Sequence, residues 1–272
     1  MALATRVEHP ISLANALFFA GLVHFERGEL DRTLERAEEI VGLAEQLGFP
    51  FYLGLGRFNR GFARVESGEG EAGIAEMQQA LVELAGIGSG IGAPQLLCFL
   101  AEGLRKVGRH DEALGALALG LAQAEQQGQH YYDAELHRLR AEILLDMARP
   151  VANGFPLPPG EGQGEGGEAT AAHTSPHPNP LPEGEGGAVV LSEGAGAERE
   201  AEALFGQSLE IARRQEAKTF ELRAATSLAR LWQRQGKRDA ARALLAPLYA
   251  WFTEGFDTRD LIEANALLEG LR

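Results

Sequence analysis

The chain has 272 residues and a formal net charge of -14. That is enough length for one elongated or two compact domains, and the acidity excludes nucleic acid or an anionic membrane surface as the main partner, because phosphate binding needs a basic footprint. Apolar residues make up 45%, which allows a real core, and the single cysteine, Cys98, excludes an intramolecular disulfide or a cysteine metal cluster and suits a reducing cytoplasm.

Taken in chain order, the first feature is the apolar stretch Ile11–Phe25. It is too short to span a membrane, which takes roughly 18 apolar residues or more. It has the look of a signal-peptide core, but Glu8 and Pro10 flank it and no clean cleavage site follows. It reads better as the first member of a repeat. Gly21, Gly61, Ala101 and Ala141 stand 40 residues apart, and seven residues further on Gly28, Gly68, Gly108 and Ala148 keep the same interval, as do Pro10 and Pro50.

Each unit makes sense as two antiparallel helices. Pro10 and Pro50 suit a first helical turn, where a missing N–H costs nothing. A small residue at mid-helix lets a neighbour approach, and the glycine near the helix end suits a left-handed cap. A second amphipathic helix follows, as in LDRTLERAEEIVGLAEQLG and DEALGALALGLAQAEQQG, with apolar residues at three- and four-residue spacing such as Leu114, Leu117, Leu119 and Leu121. β-branched residues are scarce, which leaves strands little support.

The fourth unit breaks the period. From Ala141 to Ala229 is 88 residues, so one unit carries about 48 extra. They fall where only a tight turn is needed. Pro150–Glu198 holds 8 of the 12 prolines and 11 of the 34 glycines, has no Lys or Arg, and writes PLPPGEGQGEGG and HPNPLPEGEGG as near copies. Such a segment cannot bury enough apolar surface to offset ordering, so a disordered insertion is expected at 150–198. Lengthening a turn to that extent costs only about 2 kcal/mol of loop-closure entropy. The expected organisation is helical repeats over 1–149, the insertion, and the remaining repeats with a C-terminal helix over 199–272.

Signatures of catalysis are weak. Gly162–Gly167 fits G-x-G-x-x-G and Gly88–Ala93 its Ala variant, but neither follows a strand, as dinucleotide binding requires. No phosphate-binding G-x-x-x-x-G-K-[ST] and no G-x-S-x-G occurs. His130, Asp133 and His137 include two groups on one helix face, yet no third ligand is placed by sequence. Their neighbours Tyr131 and Tyr132 are better read as packing groups, and Cys98 as a small core residue. No enzyme activity, cofactor or metal is expected.

NALFFAGLVHFERGEL, GRFNRGFARVESGEG and LLCFLAEGLRKVGRHDEA, with Ala113, Ala201 and Ala241 at further small-residue positions, resemble the tetratricopeptide repeat. The period of 40 rather than the usual 34, and Thr33 in place of an alanine, depart from it. The resemblance implies an all-α, right-handed solenoid of antiparallel helix pairs whose concave face is lined by the first helix of each pair. The inward positions it implies are apolar at the start and basic at the end. Phe18, Leu22, Phe25, Phe58 and Phe62 form an expected apolar docking face. Arg105, Lys106, Arg138, Glu142, Arg223, Arg230 and Arg234 form an expected partner-binding groove. Arg223, Arg230 and Arg234 share one helix face, where guanidinium groups can hold a carboxylate or an acidic peptide. Because the first helix is apolar almost all round, further repeats, another domain or a partner are expected to cover it.

The C-terminal stretch LRAATSLARLWQRQGKRDAARALLAPLYAWFTEGFDTRDLIEANALLEGL resembles the tetratricopeptide tail of large bacterial signalling proteins that join a cyclase or DNA-binding domain to an AAA-type ATPase. In WFTEGFDTRDL, Trp251, Phe252 and Phe256 should pack, and Asp257 or Thr258 should cap the last helix. The expectation is a non-enzymatic, cytoplasmic scaffold for protein–protein contacts. The alternative is a sensor binding a small anionic metabolite or acidic peptide in the Arg-lined groove.

Overall fold

The computed structural model describes residues 9–149 and 186–272. Most of the expected insertion therefore lies outside the described residues. Among those described there are eleven α-helices and no strand. They are α1 Pro10–Glu26, α2 Leu30–Leu47, α3 Pro50–Glu66, α4 Gly70–Gly86, α5 Ala93–Lys106, α6 His110–Gln127, α7 Asp133–Met147, α8 Gly186–Arg214, α9 Lys218–Arg234, α10 Arg238–Tyr249 and α11 Arg259–Gly270, with one 3-10 turn at His130–Tyr132 before α7. Five antiparallel pairs follow one another, α1/α2 through α9/α10, and α11 closes the last.

The helix ends follow the repeat. Pro10 and Pro50 open α1 and α3. Gly28, Gly68 and Gly108 are left-handed with φ of 73°, 97° and 78°, and Gly48, Gly88 and Gly128 between them have φ of 68°, 73° and 64°. A left-handed glycine thus ends a helix every 20 residues, one for each helix of a pair. A Cβ would meet nothing at any of the six, so backbone conformation alone selects glycine there.

Mid-helix small residues divide into two kinds. Gly61 is pressed against α4, where its Cβ would lie 2.7 Å from the Gly73 carbonyl oxygen and 2.9 Å from Met77 Cγ. Gly21, at the equivalent position of α1, has room, with Arg36 Cβ 3.6 Å away. Ala101, Ala141, Ala113, Ala201 and Ala241 are fully buried at the helix crossings. Thr33 is also buried, and its hydroxyl donates back to the Glu29 carbonyl at 3.1 Å.

One core cluster joins α3 through α7 with α1 packed at its edge, and a second joins α7, α8, α9, α10 and α11. Phe58 and Phe62 lie in the first, at 0% and 3% exposure, which corrects their assignment to an exposed docking face. The two rings stand one turn apart on α3 and are packed into the core, Phe62 between Phe25 of α1 and Phe99 of α5, so they have no surface left to offer. Phe18, Leu22 and Phe25 are half-buried at the edge of that core. Aromatic rings run on through the pairs: Phe25 is 4.6 Å from Phe62, Phe62 stacks on Phe99 at 5.2 Å, and Tyr132 meets Phe99 at 5.8 Å and Phe220 at 5.2 Å. Edge and offset contacts of this kind add to burial.

Gly186–Glu198, expected within the insertion, are helical as the first part of α8. The reason is propagation. Ala201, Phe205 and Ala212 anchor the helix against α7 and α9, Ser208 Oγ donates to the Ala134 carbonyl at 2.7 Å, and each residue added upstream of a formed helix gains a hydrogen bond without a new nucleation cost. At the other end, Thr258 is the residue before α11, but its hydroxyl donates to the Gly255 carbonyl at 2.7 Å and not to the helix. Trp251 meets Phe252 edge-on at 5.1 Å, while Trp251 and Phe256 stay about half exposed.

Candidate functional site

The inner helices enclose a cavity of about 400 Å³ on the concave face. Its walls come from Phe25 of α1, Cys98 to Arg105 of α5, Glu135 to Asp146 of α7, Arg223 to Arg234 of α9, and Arg259 to Glu263 of α11, with Phe205 of α8 behind. Six of the seven expected groove residues meet there: Arg105, Arg138, Glu142, Arg223, Arg230 and Arg234. The seventh, Lys106, does not. It pairs with Glu66 one repeat earlier and stands 3.9 Å from Glu102.

The arginines are not free. Arg105 holds Asp146 at 2.6 Å and also Glu142. Arg138 holds Glu135 at 2.9 Å and Glu142 at 2.7 Å. Arg223 reaches Asp260 at 2.8 Å and Glu135 at 3.7 Å, and Arg230 reaches Glu263 at 2.7 Å. Glu263 also takes Arg259 at 2.9 Å. From α5 to α11 each inner helix is thereby zipped to the next by an ion pair. Arg234, exposed on the lip, has no ion pair among the described residues. The lining holds seven arginines against six carboxylates, so the cavity is charge-paired and nearly neutral, not a cationic cup.

Repeat-equivalent carboxyls behave oppositely. Burial alone would raise the Glu142 carboxyl, but the guanidiniums of Arg138 and Arg105 and the hydroxyl of Ser227, which donates to Oε1 at 2.6 Å, pull it down to about 2. Glu102, 40 residues earlier, has only the more distant Lys106 and Arg138, so burial wins and its carboxyl is raised. Burial also pushes the Cys98 thiol well up, which makes it a poor nucleophile. Thr226 is 5% exposed on the cavity wall, and its Oγ1 has no hydrogen-bond partner among the described residues.

Asp260, Glu263, Arg259 and Ser227 were missed by sequence reasoning. A signal existed: Asp260 follows Arg223 by the 37 residues that separate Glu142 from Arg105, so the repeat phase carried into the last helix finds it. His130 Nδ1 and Asp133 Oδ2 meet at 2.9 Å, but His137 stands apart, with its Nδ1 buried and without a hydrogen-bond partner among the described residues and its pKa lowered by burial. Among the described residues no three His, Cys, Asp or Glu side chains are placed to hold a metal ion, and no helix is long and apolar enough to cross a membrane.

No family model matches the chain. An uncharacterized protein of Rhizobium meliloti (strain 1021) is 26% identical over 141 residues, covering 52% of this chain and 14% of that relative, so the chain spans a small part of the relative's length. Among solved structures, a Rap protein in complex with Competence and Sporulation Factor has a TM-score of 0.56 at 14% identity, covering 98% of this chain and 59% of that one. Yeast Tom70 gives 0.53 at 12% identity over 95% and 39%. Nearly identical TPR-like repeats of a Podosopora anserina putative kinesin light chain give 0.51 at 15% identity over 89% and 95%. Together with the helix pairs and their period, these likenesses show a tetratricopeptide-like solenoid.

Proposed function

We propose that the chain is a non-enzymatic interaction module that grips an extended segment of a partner protein along its concave face. The observation that carries this is the charge-paired cavity. A small free anion would have to displace carboxylates already bound to Arg105, Arg138, Arg223 and Arg230. A peptide has no such need. Guanidinium groups have spare N–H donors and carboxylates spare lone pairs, so a backbone with both donors and acceptors adds to the ion pairs without leaving a buried charge alone. Phe25, half-buried at the cavity wall, offers apolar surface beside them. The likeness to Rap, whose structure is a complex with Competence and Sporulation Factor, supports a solenoid that holds a partner.

The resemblance of the last fifty residues supports placing this module in the tail of cytoplasmic ATPase/cyclase signalling proteins. The length of the Rhizobium relative leaves space for such domains. A random peptide library selected on the full chain tests the binding reading. Selected peptides should bind with acidic residues toward Arg234, and Arg234→Glu should weaken them about tenfold or more. Equal affinity for the wild type, Arg234→Glu and Arg230→Glu would remove the groove from consideration.

A further inference from the structure

Two charged groups on the cavity wall have no close counter-charge among the described residues. Arg234 is one. Glu102 of α5 is the other: its nearest cation, Lys106, stands 3.9 Å away and is held by Glu66. The other carboxylates of the wall, Glu135, Glu142, Asp146, Asp260 and Glu263, each hold a guanidinium. The repeat explains the difference. Glu142 takes the same inward position one repeat after Glu102, and it is bound by Arg105, Arg138 and Ser227. Around Glu102 the counterparts of those three are Val65 and Cys98, forty residues before the two arginines, and Leu139, 88 residues before the serine. They are buried at 6%, 3% and 1% exposure, and none carries a charge or a hydroxyl. A carboxylate among such neighbours is costly to ionise unless a cation joins it, and burial raises the Glu102 carboxyl accordingly. Glu102 is nonetheless not sealed in. Its side chain keeps 24% exposure and opens on the cavity.

We propose that Glu102 is the subsite for a basic side chain of the partner: a lysine or arginine of the gripped segment enters the cavity and pairs with the Glu102 carboxylate, while acidic residues of the same segment lie toward Arg234. The subsite presupposes the peptide groove proposed above, and it adds the chemistry and the direction of the ligand. The protein supplies no guanidinium at this position of the wall, so the incoming cation displaces none and leaves no buried charge alone. Phe25, half-buried on the same cavity, gives the stem of a long basic side chain an apolar surface to lie on while its head reaches the carboxylate. The other wall carboxylates already have their guanidiniums, so a basic residue of the ligand is directed to Glu102 rather than spread along the groove.

Peptides selected on the full chain from a random library test this. Their sequences should share Lys or Arg at one common position. Glu102→Gln should weaken such a peptide about tenfold or more. Replacing the shared basic residue by norleucine, which keeps the stem and removes the charge, should weaken binding to the wild type by a similar factor and binding to Glu102→Gln hardly at all. The Glu102→Gln chain should melt no lower than the wild type, so its lost affinity is not lost folding. Peptides that lose affinity for Arg234→Glu yet bind Glu102→Gln as tightly as the wild type would overturn the Glu102 subsite and leave the groove standing. Peptides indifferent to Arg234→Glu, Arg230→Glu and Glu102→Gln alike would overturn both.

Discussion

The Arg27 guanidinium, in the first turn of the solenoid, donates to the Asp257 carboxylate at 2.8 Å across 230 residues of chain. The curve of the helix pairs brings the beginning and the end of the protein together, so the cavity is walled by α1 on one side and α11 on the other. Both partners are well exposed, at 44% and 65%. Exposed pairs contribute little to stability and are screened by salt. Asp257→Asn should therefore leave the thermal midpoint unchanged within error. It should still enlarge the radius of gyration measured by small-angle scattering at low salt, and high salt should do the same to the wild type. A large loss of stability would mean that the two ends are fastened by more than this pair.

Equivalent glycines should respond to alanine with opposite signs. Gly61→Ala forces a methyl against the Gly73 backbone and should destabilise by about 1–3 kcal/mol. Gly21→Ala meets only ordinary contacts and should stabilise by up to about 1 kcal/mol through helix propensity. Urea titrations of the two variants check this.

Acid should loosen the concave face. The folded-state Glu142 carboxyl lies at about 2, below its ordinary 4.5. A depressed carboxyl stabilises the fold above its unfolded value, and that contribution is lost as pH falls through the window from 4.5 to 2. The linkage amounts to about 3 kcal/mol. Glu102 has the opposite sign. Its raised carboxyl favours the fold at low pH, and that stability is lost as pH rises through the raised folded value. Chemical denaturation against pH should show Glu142→Gln flattening the acid limb, while Glu102→Gln gains stability at neutral pH.

Phe58 and Phe62 should act on stability and not on binding. Truncating either to alanine leaves a cavity in a packed core and should cost about 3–5 kcal/mol. Phe19→Ser on the outward face should leave stability nearly unchanged. Calorimetry of the variants separates the two outcomes.

The architecture was legible in the sequence because the 40-residue period, the prolines and the cap glycines are local signals that each helix repeats. The groove was legible as a set of positions. Six of its seven candidate residues converge, since one helix face needs only the right spacing. What spacing could not show is whom each arginine meets. The partners Asp260 and Glu263 lie in a different helix, and the register between inner helices is set by packing. The same gap misplaced Phe58 and Phe62. On α3 the apolar residues are so numerous that periodicity cannot separate the concave side from the side facing α4 and α5. The start of α8 was masked by composition, because glycine and glutamate near Gly186 hide a helix nucleated downstream at Phe205.

The most direct test of the groove is amide hydrogen exchange on the full chain with and without a library-selected peptide. Binding along the concave face should slow exchange in the inner helices α5, α7 and α9 and leave the outer helices α4 and α6 unchanged. Protection confined to α4 and α6, or to α1 alone, would contradict a concave binding site.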